Sequence, residues 1–330
     1  MLDGGWTMRT IRFLLLALCL CALGAPATAQ TYPDRTIKII VPQPPGGGFD
    51  TVARILADRL GPLLGQSVVV ENRTGAGTLV GTEAAARAPA DGYTLLLGAL
   101  SNIALNPGLY PKLAYDPLKD FTPVGLAVTW SYTLVARKDL PHKDLKELIA
   151  DARANPEKIT YASAGKGSGQ HIAMAVTAQL AGVKLTHVAY RGAQAAYQDV
   201  LGGRVDLFFD ISSTARSQVD SGTVRALAVS SKDRQAMHPD VPSVAETGVA
   251  PLDMESWFGL FAPTETPAAA LERLRSEFAK VAAMPEVVEL FAKTGGRAMR
   301  LSLAETEALL RRDVERWTKL IKDAGISAAP

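Results

Sequence analysis

The 330-residue chain has only two cysteines, Cys19 and Cys21, and both fall within its first 29 residues. Beyond them there is no thiol for nucleophilic catalysis, for a disulfide or for a cysteine-based metal site. Histidine is almost as scarce. His142, His171, His187 and His238 include no pair at metal-ligand spacing and no His-Glu-x-x-His run. Aromatic residues make up 6% of the chain and the formal charge is +2, so the strongly basic footprint of a nucleic-acid binder is missing. Long apolar runs are also absent past the N-terminus. The longest uncharged stretch, residues 92–111, is interrupted by Asn102, Asn106, Pro107 and Gly108. What remains is a chain with 48% hydrophobic residues, enough to bury a large core in two lobes. No cofactor and no metal are expected.

The N-terminus reads as an export signal. Arg9 and Arg12 precede an apolar run from Phe13 to Leu23, and Ala27-Thr28-Ala29 offers small residues for cleavage before Gln30. That run is short for a membrane span. Neither cysteine follows the small residue that lipidation would require. The expected location is therefore the periplasm, after cleavage between Ala29 and Gln30.

The mature part alternates strand and helix patterns, the rhythm of a parallel α/β sheet. Residues 36–42 form a β-branched strand, and Val52, Ile55, Leu56 and Leu60 after it keep helical spacing. Between them lie Gly46, Gly47, Gly48, Phe49 and Asp50, a strand-to-helix turn with bare amides at a helix N-terminus, suited to an anion. A second turn of this kind holds Ser163, Gly165, Lys166, Gly167, Ser168 and His171. These two turns are expected to face each other across a cleft and hold a carboxylate. The pattern assigns residues 30–127 and about 252–330 to one lobe and 128–251 to the other. Val124–Arg137 is long enough to run between them. At the C-terminal end, Thr266 is expected to cap a helix with Pro267 at its first position, and Ser302 with Glu305 forms a capping box.

Each candidate also has a plainer role. Asp50 either contacts the ligand or caps a helix starting at Thr51. Gly75-Ala76-Gly77 with Gly81 superficially matches a dinucleotide fingerprint, but its third glycine is one residue late, and a flexible loop is the better reading. Ser168 and His171 invite a hydrolase reading, yet position 166 is lysine where a nucleophile elbow needs glycine. Ser168 then caps a helix or bonds a ligand. Ser101 and Asn102 follow a strand and are candidate contacts. Arg191 either pairs with a ligand carboxylate or forms an ion pair. Asp210 would repel an anion unless it orients a donor, receives a ligand amine or bridges backbone groups.

At this point an ordered set of segments carries a resemblance. Ile39-Ile40-Val41-Pro42, Gly46-Gly47-Gly48-Phe49-Asp50, Val69-Val70-Glu71-Asn72-Arg73, Asp91-Gly92-Tyr93-Thr94-Leu95, Pro239-Asp240-Val241-Pro242, Trp257-Phe258-Gly259-Leu260 and Ala324-Gly325-Ile326 are among them. Together they resemble the solute-binding receptors of the tripartite tricarboxylate transporter system, the Bug family. The resemblance implies a two-lobed, Venus-flytrap fold of the periplasmic-binding-protein type (type II-like), each lobe a mainly parallel sheet flanked by helices. It implies a non-enzymatic receptor, acting as a monomer, that captures a small organic carboxylate. Delivery would be to one large and one small membrane subunit. A ligand-sensing subunit for a membrane histidine kinase would need the same cleft, and a periplasmic serine hydrolase using Ser168 is the remaining alternative. The chain departs from the family at Gln43, Phe49, Ser101-Asn102-Ile103, Ala189-Tyr190-Arg191-Gly192 and Gly167-Ser168-Gly169, so ligand identity does not carry over. Phe49 would either stack on an aromatic ligand or fill space against a short one.

Overall fold

The computed structural model describes residues 32–328; the export segment and both cysteines lie outside the described residues. Strand β1 (Ile37–Val41) pairs in parallel with β2 (Val68–Asn72) and β3 (Thr94–Ala99). Helix α1 (Gly48–Leu64) returns the chain from β1, and α2 (Leu79–Ala86) returns it from β2. In the second half, β5 (Thr160–Ser163) pairs in parallel with β6 (Thr186–Ala189) and β7 (Leu207–Ile211). Its connecting helices are α5 (Gly169–Leu180) and α6 (Ala193–Leu201). The short α3 (Asn106–Leu109) precedes the sheet's long strand, and α4 (Leu145–Ala154) follows it.

That long strand, β4 (Phe121–Arg137), joins the halves. Its residues Phe121–Ser131 pair antiparallel with β9 (Glu255–Pro263), whereas Tyr132–Arg137 pair with β7 and with β8 (Val224–Val229). The partner changes between Ser131 and Tyr132. The sheet order is β2-β1-β3-β9-β4-β7-β5-β6, with β8 and the two-residue β10 (Arg297–Ala298) also on β4. Each half thus keeps a parallel core of three strands, and the antiparallel strands are the crossings. β4 is buried through most of its length because both its faces are covered, which explains its near-continuous apolar sequence.

Several details differ from expectation. Pro267, not Thr266, is the N-cap of α8 (Ala268–Ala283), and the Thr266 hydroxyl donates instead to the Pro263 carbonyl at 2.7 Å. Asp50 lies inside α1, whose N-cap is Gly47. Leu100–Leu105 forms a π-helical turn, and Ser212–Asp220 forms helix α7, neither foreseen from periodicity. Serine and threonine dominate the start of α7, so its apolar stripe is weak. The capping box at Ser302 is present: its hydroxyl accepts from Glu305 N–H, and the Glu305 carboxylate accepts from Ser302 N–H. It opens the final helix α10 (Leu303–Asp323), which follows α9 (Pro285–Lys293). Among the described residues no helix is long and apolar enough to cross a membrane.

The core is continuous under the β4–β9 pair. Trp130 meets Phe258 and Phe291 edge-on with ring centroids 5.5 and 5.7 Å apart, and Phe49 meets Phe258 at 5.2 Å. A smaller cluster under the second half gathers Ala196, Tyr197, Val200 and Phe208. Where β4 and β9 cross, a methyl on Gly259 would collide with the Gly125 carbonyl and lie 2.8 Å from the Leu126 Cα. Both obstacles are backbone and cannot swing aside. We expect Gly259→Ala to cost about 1–3 kcal/mol of stability, read as a lower urea midpoint with an unchanged slope.

Candidate ligand cleft

The turns that leave four parallel strands meet at one cavity of about 360 Å³. Pro42 and Pro44 follow β1, and Thr74, Gly75, Ala76 and Gly77 follow β2. From the other half, Ala164 and Gly165 follow β5, and Tyr190 and Arg191 follow β6. Carboxyl ends of parallel strands are where open α/β sheets leave room for a ligand, since the helices turn away there. Here both halves point those ends at the same space.

The halves are in contact around this cavity. A methyl on Gly77 would collide with the Lys166 carbonyl, and one on Gly165 would lie 3.5 Å from the Gly77 Cα. A methyl on Gly192 would similarly lie 3.2 Å from the Pro44 ring, and one on Gly48 2.8 Å from the Ile211 side chain. Glycine at position 77 lets backbone approach backbone, and glycine at positions 48 and 192 leaves room for a side chain of the other half.

The first turn is rigid. The Asp50 carboxylate accepts from Gly46 N–H at 3.1 Å, from Arg54 Nε at 2.9 Å and from Asn72 Nδ2 at 3.1 Å. Asn72 also donates to the Gln43 carbonyl at 2.9 Å, which ties the end of β2 to the turn after β1. Burial pushes the Asp50 carboxyl up, but the bonds from Arg54, Gly46 and Asn72 outweigh it and hold the group below the usual carboxylate range. Asp50 therefore braces the turn. Phe49 is buried against Phe258 in the core, away from the cavity wall. Gly46, Gly47 and Gly48 stand beside the cavity and are not among its lining residues; Gly46 comes nearest to Gln194 across the cleft.

The second turn is held from behind. Ser168 is the N-cap of α5, and its buried hydroxyl accepts from His171 N–H at 3.3 Å. His171 Nδ1 accepts from Gly167 N–H at 3.2 Å. The Ser163 hydroxyl accepts from Gly165 N–H at 3.2 Å and sits 2.7 Å from His187 Nε2. Burial, then the neighbouring His187 and Lys166, depress His171 to about 3; burial and Lys166 depress His187 to about 4. Ser168 is thus engaged as a cap and His171 in fixing a backbone amide, the roles opposite to those of a nucleophile and its base.

Other candidates divide clearly. Asn102 is fully buried, accepts from Ala99 N–H at 2.7 Å and donates to Thr82 Oγ1 at 3.0 Å, so it closes the π-helical turn. Ser101 is buried beside it at 2% exposure and does not line the cavity. Asp210 is buried and accepts from Ile211 N–H at 2.8 Å, from Thr214 and from Gln170. Burial pushes its carboxyl up to about 6 against those bonds. It bridges the start of α7 to α5. Arg191 is different: it is exposed in the cavity wall, with no side-chain hydrogen bond or ion pair to the described residues. Lys166 is also exposed and unpaired among them, but its carbonyl, not its ammonium, meets the other half.

Sequence reasoning passed over the Thr74–Gly77 turn as a flexible loop. Three successive residues there have positive φ, Gly75 at 143°, Ala76 at 44° and Gly77 at 75°. For Ala76 this is left-handed backbone costing about 1–2 kcal/mol, a strain that concentrates at functional sites. The amides of Gly75, Ala76 and Gly77 donate to no group among the described residues. The available signal was position: Gly-x-Gly just past a parallel strand, like the two turns already singled out.

Residues 52–326 match the family model for the tripartite tricarboxylate transporter family receptor. The protein BugT of Bordetella pertussis is 34% identical over 318 residues, covering 96% of this chain and 98% of that protein. Among solved structures, Rpa4515 of R. palustris with adipate superposes with a TM-score of 0.85 at 31% identity, covering 90% of this chain and 99% of that one. MatC of Rhodopseudomonas palustris with bound malate gives 0.84 at 32%, covering 88% and 100%. The two-lobed sheet, the cleft at its strand ends and this end-to-end likeness agree: the chain belongs to the tripartite tricarboxylate transporter receptor family, the solute-binding receptors of the periplasmic-binding-protein fold.

Proposed function

We propose that this receptor closes its two lobes on a small organic carboxylate in the periplasm and delivers it, as a monomer, to the large and small membrane subunits of a tripartite tricarboxylate-type transporter. The observation that carries the reading is Arg191, a guanidinium unpaired among the described residues, in the wall of a cavity whose described lining has no acidic side chain. A guanidinium binds a carboxylate through two parallel N–H bonds, and it does so more strongly away from bulk water. The uncommitted amides of Gly75, Ala76 and Gly77 stand across the cavity as further donors for an anion. Adipate and malate, bound by the two structural neighbours, are both of this chemical class.

In this reading residues 32–127 and about 252–328 move as one body against about 132–251, with residues 128–131 of β4, where its pairing passes from β9 to β7 and β8, and the return to β9 as hinges. Donors from both lobes reach the ligand together only when the lobes meet, so the ligand stabilises the closed form by its differential affinity for it. No step of this cycle makes or breaks a covalent bond. Cleavage after Ala29 would release the chain to the periplasm.

Arg191→Ala should weaken adipate or malate binding by about 1.5–3 kcal/mol, the worth of hydrogen bonds to a charged group, in calorimetric titration. Its melting temperature should not change, because the side chain holds nothing else in place. Unaltered affinity would remove Arg191 from the site. Gly77→Ala tests closure. It costs about 1–2 kcal/mol through its left-handed backbone, and the methyl also keeps Lys166 from its closed position. The expected result is a folded protein whose carboxylate affinity is at least about tenfold weaker.

A further inference from the structure

The turn between β5 and α5 has little regular structure to hold it. Gly165 and Gly167 both have positive φ, 130° and 81°, and the loop presents its Gly165 edge to the cavity. Behind it stands a column of three rings. Tyr161 on β5 stacks on His187 of β6 with centroids 4.8 Å apart, and His187 stacks on His171 of α5 at 4.1 Å with planes 18° apart. Each imidazole reaches a different part of the turn. His171 Nδ1 takes the Gly167 amide proton directly. His187 acts through the Ser163 hydroxyl, which lies within 3.2 Å of both the amide and the carbonyl of Gly165.

We propose that His171 and His187 are positioning residues for ligand capture: as neutral, stacked imidazoles they set the Gly165–Ser168 backbone in the form that closes the cavity. This rests on the receptor reading. Neutrality follows from the chemistry of the contact. A ring nitrogen accepts an amide proton only through a free lone pair, so His171 carries no proton at Nδ1 while Gly167 is in place. Two cationic rings stacked face to face would also repel. The titratable groups facing the pair are Tyr161 on β5, Lys166 in the turn and Tyr110, whose hydroxyl packs near Gly167. None of these is acidic, and Lys166 opposes a positive charge on either ring. Both groups titrate below their ordinary value. They are neutral in the folded chain above pH about 4, so the braced turn is intact there and is released as pH falls through the folded values of about 4 and about 3.

The test compares the full exported chain with His171→Leu, which keeps an apolar filler but removes the acceptor, and His171→Asn, whose Oδ1 replaces Nδ1 as an acceptor. Amide hydrogen exchange at Gly167 is read first, then affinity for adipate and malate at pH 7. The leucine variant should exchange Gly167 about tenfold faster and bind about tenfold more weakly, the effect of one lost hydrogen bond. The asparagine variant should lie within about threefold of the parent on both counts. Parental Gly167 exchange and affinity in His171→Leu would overturn the proposal, as would losses in His171→Asn as large as those in His171→Leu. If the leucine variant does not fold, His171→Phe, which keeps a stacked ring but offers no acceptor, is read in its place. If neither dicarboxylate binds the parent chain, the receptor reading fails, while Gly167 exchange still decides whether His171 holds the turn.

Discussion

The contact between Gly77 and the Lys166 carbonyl constrains the rest of the structure. Two turns from opposite halves come so close that Gly77 has no room for a β-carbon, and around that point the chain encloses a cavity. Such an approach requires each turn to be rigid. Asp50 supplies rigidity on one side through three donors drawn from the β1 turn, α1 and β2. On the other side the Ser168 cap and the His171 and His187 bonds do the same. Conspicuous polar residues therefore turn inward as braces, while backbone amides and the Arg191 guanidinium stand in the cavity wall.

The ligand side of the cleft follows from the topology of the sheet. β4 changes partner after Ser131, so one strand belongs to both halves and the two sheets cannot separate. In the proposed cycle they bend about it and about the return to β9. Parallel strands on either side aim their carboxyl ends at the common gap, and each half contributes turns after two neighbouring strands. A ligand that bonds turns from both halves shifts the balance toward contact, and release needs only that the bend reopen.

Much of this was legible in the sequence because it depends on local chemistry. The β-branched runs, the apolar stripes and the Ser302 capping box announce themselves, and the glycine-rich turns mark where strand gives way to helix. The family was legible too, from short segments in a fixed order. The direction of side chains was not. Asp50, Asn102 and Asp210 look like ligand contacts in a string of letters, but burial leaves each with internal donors to satisfy. Phe49 is claimed by Phe258, more than 200 positions away in sequence, a distance that periodicity does not span. The Thr74–Gly77 turn was missed for the opposite reason: its significance comes from a neighbour, Lys166, in the other half. Helix α7 went unseen because its polar opening carries little periodic signal.

The most direct measurement is a crystal structure of the chain with a carboxylate first identified by thermal shift across mono-, di- and tricarboxylates. The account predicts lobes in contact at Gly77 and Lys166, with one ligand carboxylate within about 3 Å of the Arg191 guanidinium and facing the Gly75–Gly77 amides. A carboxylate bound elsewhere on the chain, or held in this cavity with Arg191 turned away into solvent, would contradict it.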